Sequence, residues 1–203
     1  MKKLKINSMT LITMQKGKLL EQIRDFADQA HGDQMRKYAN DRYIVHPERV
    51  MRICQEYSDQ LPIAAAALLH DVLEDTAVSA QEIEDFLSLR MSREDAKKTV
   101  KLVQELTDVY IKEAYPSLNR DTRKQKELER FQKTSADAQT IKYADIIDNC
   151  KEIVRHDSSF APKYLKECLS ILKMARWGNK ELHKLAMETL LEEQKKIGGK
   201  KSR

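Results

Sequence analysis

Apolar positions recur along this chain three and four residues apart, so the hydrophobic pattern predicts a succession of amphipathic helices and only weak strand signals. Leu19, Leu20, Ile23, Phe26, Ala27 and Ala30 form one stripe with a charged back, and a first core helix is expected over 19–30. Gly32, Asn40, Asp41 and Pro47 then interrupt the period, and residues 36–46 are expected to form a loop. Pro47 is suited to open a helix to about residue 57, and Pro62 to open the next. Ser79 is placed to cap the helix that follows it, and Ser92 with Asp95 resembles a capping box for a helix through Thr107. Asp121 is placed to cap the highly charged TRKQKELERFQKT, and Asp137 to begin AQTIKYADIIDNCKEIV. Two amphipathic helices, over 160–174 and 179–196, meet at a break around Gly178. The expected fold class is all-α, a single helical bundle.

Two of these helices carry charge where a core should lie. The apolar run 63–69 passes abruptly into His70, Asp71, Glu74 and Asp75. If the helix continues to Thr76, Glu74 sits one turn beyond His70 and Asp71, and Asp75 one turn beyond Asp71. Each such group buried without a partner costs about 2 kcal/mol or more, and a metal ion would compensate several at once. In the second helix Ile141, Asp145, Asp148, Asn149 and Glu152 share a face, while Ala144, Ile147 and Cys150 turn to the core. His46, His70, Asp71 and Asp145 make a mixed nitrogen and oxygen donor set that suits manganese, iron, cobalt or zinc, and affinity order does not choose among them.

Composition narrows the remaining classes. With 203 residues, 41% hydrophobic and 34% charged, only 5 Gly and 4 Pro, and no Pro/Gly/Ser-rich linker, one core is expected rather than several. We expect an N-terminal extension over 1–18, the domain over 19–193 and a basic flexible tail over 194–203. That tail holds five Lys or Arg and no acid, so much of the net charge of +5 is terminal rather than a basic face. With 6% aromatic residues, nucleic-acid binding is not expected. The longest apolar run is far short of the roughly 20 residues of a membrane span, and no signal peptide is expected. Three cysteines, Cys54, Cys150 and Cys168, without a CxxC pattern suit a reducing, cytoplasmic setting.

Read together, RK (36–37), YIVHP (43–47), ALLHDVLEDT (67–76) and KYADIIDN (142–149) resemble, in order and spacing, the hydrolase domain of the RelA/SpoT alarmone family, within the HD phosphohydrolase superfamily. The resemblance runs from about residue 22 to residue 190, and the small stand-alone alarmone hydrolases are similar to this chain in length. It implies an HD-domain helical bundle that removes the 3′-pyrophosphate of guanosine tetra- or pentaphosphate. It implies that His46, His70, Asp71 and Asp145 hold one divalent metal, usually manganese in this family. Glu74 and Asp75 match the pair beside the attacking water, Arg36 and Lys37 the basic pair that meets phosphates, Asn149 the nucleoside contact and Tyr164 a pocket tyrosine.

The chain also departs from the family pattern. YANDRY (38–43) stands where SGEPY is frequent, Asp148 where a histidine is common, and Glu152 where a small polar residue often helps to hold the guanine. Asp148 is therefore expected to face the pocket as a further substrate contact. Arg120, Arg123 and Lys124 are either contacts to the far phosphates or a solvated face. These departures keep alternatives open: an adenosine alarmone or the 2′-phosphate of NADPH as substrate, or a non-catalytic module that binds a nucleotide. Homo-oligomerisation is left open. His31 is expected at a helix end near Arg36, His156 and His183 on the surface, and Trp177 in packing.

Overall fold

The computed structural model describes residues 8–200, and among these every regular element is a helix. In order they are α1 (Ser8–His31), α2 (Val45–Tyr57), α3 (Leu61–Leu69), α4 (Val72–Asp75), α5 (Ala80–Ser88), α6 (Arg93–Leu106), α7 (Arg120–Phe131), α8 (Ala136–His156), α9 (Ala161–Met174) and α10 (Lys180–Lys200). A single antiparallel bridge, Met35 to Arg42, pins the long connection between α1 and α2.

The core is built around α3 and α8. From Ala64 to Leu69 no residue of α3 is more than 1% exposed, the signature of a helix that is apolar on every side and therefore buried on every side. Its small alanines let α1, α2, α6 and α8 pack against it. α8 buries Ile141, Tyr143, Ala144, Ile146, Ile147 and Cys150 beneath α2, α6, α9 and α10. The charged back of α8 faces α2, and this is where the site forms.

Helix ends follow local chemistry. Ser79 and Glu82 form a reciprocal capping box at α5, the Ser79 N–H donating to Glu82 Oε2 at 2.8 Å. Ser92 caps α6 by accepting from the Asp95 N–H. The cap expected at Asp121 falls two residues earlier, Asn119 capping α7 by accepting from the Thr122 N–H at 2.9 Å, and Ser135 caps α8 two residues before the Asp137 expected to begin it. Asp121 and Asp137 lie instead in the first turns, where an acid is favourable to the helix dipole.

Three boundaries differ from expectation. α1 starts at Ser8 rather than residue 19, so most of the expected N-terminal extension is helical; Gly17 and Lys18 are exposed, and such turns leave no apolar stripe to read. Residues 1–7 of that extension lie outside the described residues. α10 continues to Lys200 through most of the expected flexible tail, because Glu193 is buried, Lys196 pairs with it at 2.6 Å and Ile197 packs on the core. Residues 201–203 lie outside the described residues. α2 begins at Val45, so His46 belongs to its first turn rather than to the loop.

The α9–α10 turn sits directly on α8. The Trp177 N–H donates to Gln139 Oε1 at 2.8 Å and the Asn179 N–H to Thr140 Oγ1 at 2.9 Å. Between them Gly178 lies so close that an added Cβ would stand 2.5 Å from Tyr143 Cε2 and 2.9 Å from the Thr140 nitrogen. The Trp177 ring does not pack as expected; the residue is 74% exposed.

Candidate metal centre and its cleft

The polar break after the apolar run is also a break in the helix. α3 stops at Leu69, Asp71 takes φ −96° and ψ −6°, and α4 adds one further turn. The expected continuous helix to Thr76 is thus two pieces. Ending the helix leaves carbonyls of its last turn without helical partners. The Ala67 carbonyl accepts from His70 Nδ1 at 2.9 Å, which aims Nε2 away from the backbone. That Nε2 is buried and has no hydrogen-bond partner.

Three elements bring the donors together. α2 supplies His46, the break supplies His70 and Asp71, and α8 supplies Asp145. His46 Nε2 lies 3.2 Å from Asp145 Oδ1 and 3.8 Å from Asp71 Oδ2. His70 Nε2 lies 3.1 Å from Asp71 Oδ2 and 3.8 Å from Asp145 Oδ1. One donor atom each from His46, His70 and Asp145 falls within 4.8 Å of the others, and all three residues are buried. The buried His70 Nε2, which faces carboxylate oxygens but makes no hydrogen bond of good geometry, and the mixed imidazole and carboxylate donors fit a divalent ion.

The electrostatics point the same way. Burial works against charge on His70, but Asp71 and Asp145 outweigh it and push its pKa up to about 9. Burial likewise opposes the Asp145 carboxylate, yet Lys142, His46 and His70 hold its pKa well below the usual range. The two carboxylates thus favour positive charge beside them, and Lys142 and the imidazoles supply it here. Lys142 Nζ donates to Asp145 Oδ2 and Asn149 Nδ2 to Asp145 Oδ1, each at 2.6 Å, and the Tyr43 hydroxyl donates to Asp71 Oδ2 at 2.6 Å.

Glu74 and Asp75 lie on α4, within one turn of Asp71. Glu74 Oε2 accepts from the Asp108 N–H at 3.1 Å, and partial burial together with the Asp108 charge raises its pKa. Asp75 accepts from Gln34 Nε2 at 3.4 Å, and Gln34 Oε1 in turn accepts from His31 Nδ1 at 2.8 Å. His31, buried at the end of α1, also lies 4.5 Å from the Tyr43 ring, and so reaches the centre through Gln34 and Tyr43 rather than directly.

The basic pair divides. Arg36 is directed to α8, where Nη2 donates to Glu152 Oε2 at 2.5 Å and to Asn149 Oδ1 at 3.1 Å. The Lys37 side chain is 72% exposed and reaches Asp157 at 3.4 Å, beyond the end of α8. Asp148 departs from expectation. Its Oδ2 accepts from His46 Nδ1 at 2.7 Å, and Arg49 binds both oxygens, at 2.6 and 3.0 Å, so its acceptors are already engaged within the protein. Tyr164 is half-buried on α9, beside Cys168 and within electrostatic reach of Asp145. Arg123 donates to the Leu118 carbonyl, and Lys124 pairs with Asp108 at 2.9 Å.

A cavity of about 390 Å³ adjoins the centre at Lys142. Arg120, Lys124, Lys163 and Lys166 line it with Asp108 and Glu167 over an apolar floor that includes Leu106 and Phe131. Lys142, Tyr43 and Arg49 are the site residues that sequence reasoning passed over. Lys142 and Arg49 each stand three residues from a proposed ligand, a spacing that puts them on that ligand's face. Tyr43 opens the YIVHP segment itself.

α2, α8 and the break after α3 thus bring two imidazoles and two carboxylates together in an all-α protein, with His46, His70 and Asp145 forming a buried group able to hold a divalent ion. Residues 43–150, spanning every one of those four donors, match the HD domain family, and the chain belongs to it. Guanosine-3′,5′-bis(diphosphate) 3′-pyrophosphohydrolase MESH1 of Mus musculus is 29% identical over 177 residues, covering 83% of this chain and 90% of the mouse protein. The Homo sapiens protein of the same name is 32% identical over 134 residues, 64% of this chain and 67% of the human one. A solved structure described as a metazoan ortholog of SpoT that hydrolyzes ppGpp shares the fold, with a TM-score of 0.72 and 24% identity over 87% of this chain and 95% of that one. No described helix is long and apolar enough to cross a membrane.

Proposed function

We propose that this protein is a metal-dependent phosphohydrolase that removes the 3′-pyrophosphate of (p)ppGpp, releasing GDP or GTP and pyrophosphate in the cytoplasm. The observation that carries this reading is the buried convergence of His46, His70 and Asp145, with Asp71 Oδ2 3.1 Å from His70 Nε2, next to a lysine-lined cavity. A divalent ion held here, manganese in this reading, would supply Lewis acidity and lower the pKa of a nearby water. His46, His70, Asp71 and Asp145 would hold it. Glu74, whose raised pKa brings it nearer the working pH, is suited to take the proton of the attacking water, with Asp75 orienting it. Lys142, whose charge Asp145 holds in place, lines the cavity and would balance phosphate there. Arg36 offers a planar fork to the substrate, in exchange for Glu152, and Lys37 a point charge further out. Asn149 and Tyr164 would contact the nucleoside, while Arg123 is left to its own loop.

Glu152 favours a second reading, in which the same chemistry acts on an adenosine alarmone or the 2′-phosphate of NADPH. It stands where a small polar residue is frequent in the family, holds Arg36, and buries its own Oε1 without a hydrogen-bond partner, so the surroundings of the base differ from the family pattern. Manganese-loaded protein incubated with ppGpp, the adenosine alarmone and NADPH, with products identified, decides between them. Release of GDP and pyrophosphate from ppGpp supports the first reading; turnover confined to another nucleotide replaces it. Asp71→Ala and Asp145→Ala should lose both metal and turnover, whereas Glu74→Ala should keep metal and lose rate. Undiminished hydrolysis by metal-stripped wild type would sink the mechanism, and tight binding without product would leave a nucleotide-binding module.

A further inference from the structure

The two imidazoles of the centre are oriented by different means. A metal-ligating histidine usually donates its second ring N–H to a fixed acceptor, which sets the tautomer and the ring direction. His70 uses the Ala67 carbonyl. His46 uses a carboxylate, Asp148 Oδ2, at 2.7 Å from Nδ1. That carboxylate is held rigidly. Arg49 Nε meets Oδ1 at 2.6 Å and Nη2 meets Oδ2 at 3.0 Å, the two-pronged geometry that only a guanidinium provides. Arg49 stands three residues after His46 on α2, and Asp148 three residues after Asp145 on α8. The contact is therefore part of the α2–α8 packing that brings His46 to Asp145. Arg49 Nη2 also reaches Glu152 Oε2 at 3.2 Å, which ties the clamp to the residue that holds Arg36.

We infer that Asp148, clamped by Arg49, is a positioning residue that fixes His46 as a metal ligand rather than a contact to the substrate. The inference rests on the reading of His46, His70, Asp71 and Asp145 as the metal ligands. An anionic acceptor makes His46 Nε2 a stronger donor to a cation than a neutral acceptor would. Asn in its place can still accept from Nδ1 but brings no charge, and its amide nitrogen would face the Arg49 fork. The aspartate and its arginine therefore act as one unit.

The test measures metal affinity separately from turnover. Metal-free wild type, Asp148→Asn, Arg49→Gln and Arg49→Lys are titrated with Mn²⁺ and Co²⁺ against a chelating dye, and the visible absorption of bound Co²⁺ reports the ligand geometry. Thermal unfolding of the metal-free proteins and KM at saturating metal are recorded alongside. Asp148→Asn should weaken metal binding about 10- to 100-fold, the range typical of such outer partners, and alter the Co²⁺ spectrum while leaving KM at saturating metal unchanged. Arg49→Gln should weaken metal binding in the same sense, and Arg49→Lys, which keeps charge but not the fork, should fall between it and wild type. Wild-type metal affinity in Asp148→Asn with a raised KM would overturn the inference in favour of a substrate contact. Wild-type affinity with only a lowered unfolding temperature would overturn it in favour of a plain ion pair. If wild type itself binds neither metal, the metal-site reading falls first and the inference with it.

Discussion

Replacing Arg36 by methionine should harm stability and turnover by separable routes. The Arg36 and Glu152 side chains are only 10% and 12% exposed, and they meet through two contacts, at 2.5 and 3.2 Å. Methionine keeps most of the volume and removes the charge. Glu152 then loses its nearest partner while its Oε1 already lacks one, and only Arg49, at 3.2 Å, remains. Breaking a buried pair from one side costs about 3–5 kcal/mol, and the surviving Arg49 contact places this case at the low end, about 3 kcal/mol. Replacing both partners leaves no stranded charge, so Arg36→Met/Glu152→Met should return to within about 1 kcal/mol of wild type. Urea unfolding of the two single variants and the double variant reads this directly, provided the slopes of the transitions agree. Turnover behaves differently. The double variant regains stability but not the guanidinium, so KM for a phosphorylated nucleotide should remain raised. An Arg36→Met protein within about 0.5 kcal/mol of wild type would refute the reasoning, since that is the range of an ordinary surface substitution. So would a double variant no more stable than the single one.

Further outcomes follow from other parts of the structure. Gly178→Ala forces a methyl into the Tyr143 ring and the Thr140 backbone and should destabilise by about 1–3 kcal/mol, measured by thermal or urea unfolding; an unchanged midpoint would mean the turn moves freely away from α8. Loading stripped protein with Mn²⁺ at a hundred times its Kd should stabilise the fold by about 2.7 kcal/mol, seen as a rise in Tm, and no rise would contradict a metal site at His46, His70, Asp71 and Asp145. Asp157 accepts from the Tyr38 hydroxyl, Ser159 and the Phe160 N–H, which hold its carboxyl well below the usual range. A carboxyl with a depressed native pKa contributes stability that is present above its unfolded value of about 3.9 and lost as pH falls toward the native value. Asp157→Asn should therefore flatten the loss of stability below about pH 4, and an identical acid profile in the variant would exclude the contribution.

Much of this organisation was legible before any coordinates. An apolar run that ends in His-Asp must either break or find partners, and here it does both. Hydropathy reports which side of a helix is buried but not whether the backbone continues, so the pattern alone predicts an unbroken helix across the break between Leu69 and Val72. The early turns of α1 were missed for a related reason, because exposed residues carry no stripe. Asn119 and Asp121, or Ser135 and Asp137, are equally good caps by type, and only tertiary geometry selects one of each. The same limit explains Asp148. Periodicity places it on the face of Asp145 and Glu152, but the reach of Arg49 and the ring of His46 from a helix a hundred residues earlier is a property of packing.

The two ways of orienting a histidine have different consequences for heritable change. The acceptor for His70 is a peptide carbonyl, present whatever residue occupies position 67, so point substitutions at that position leave the acceptor in place as long as the helix still ends there. The acceptor for His46 is encoded by a codon, and so is the arginine that fixes it. If the centre holds a metal as proposed, one half of it is insulated from drift, and the other is where mutation would retune metal affinity, upward or downward, without altering a single ligand.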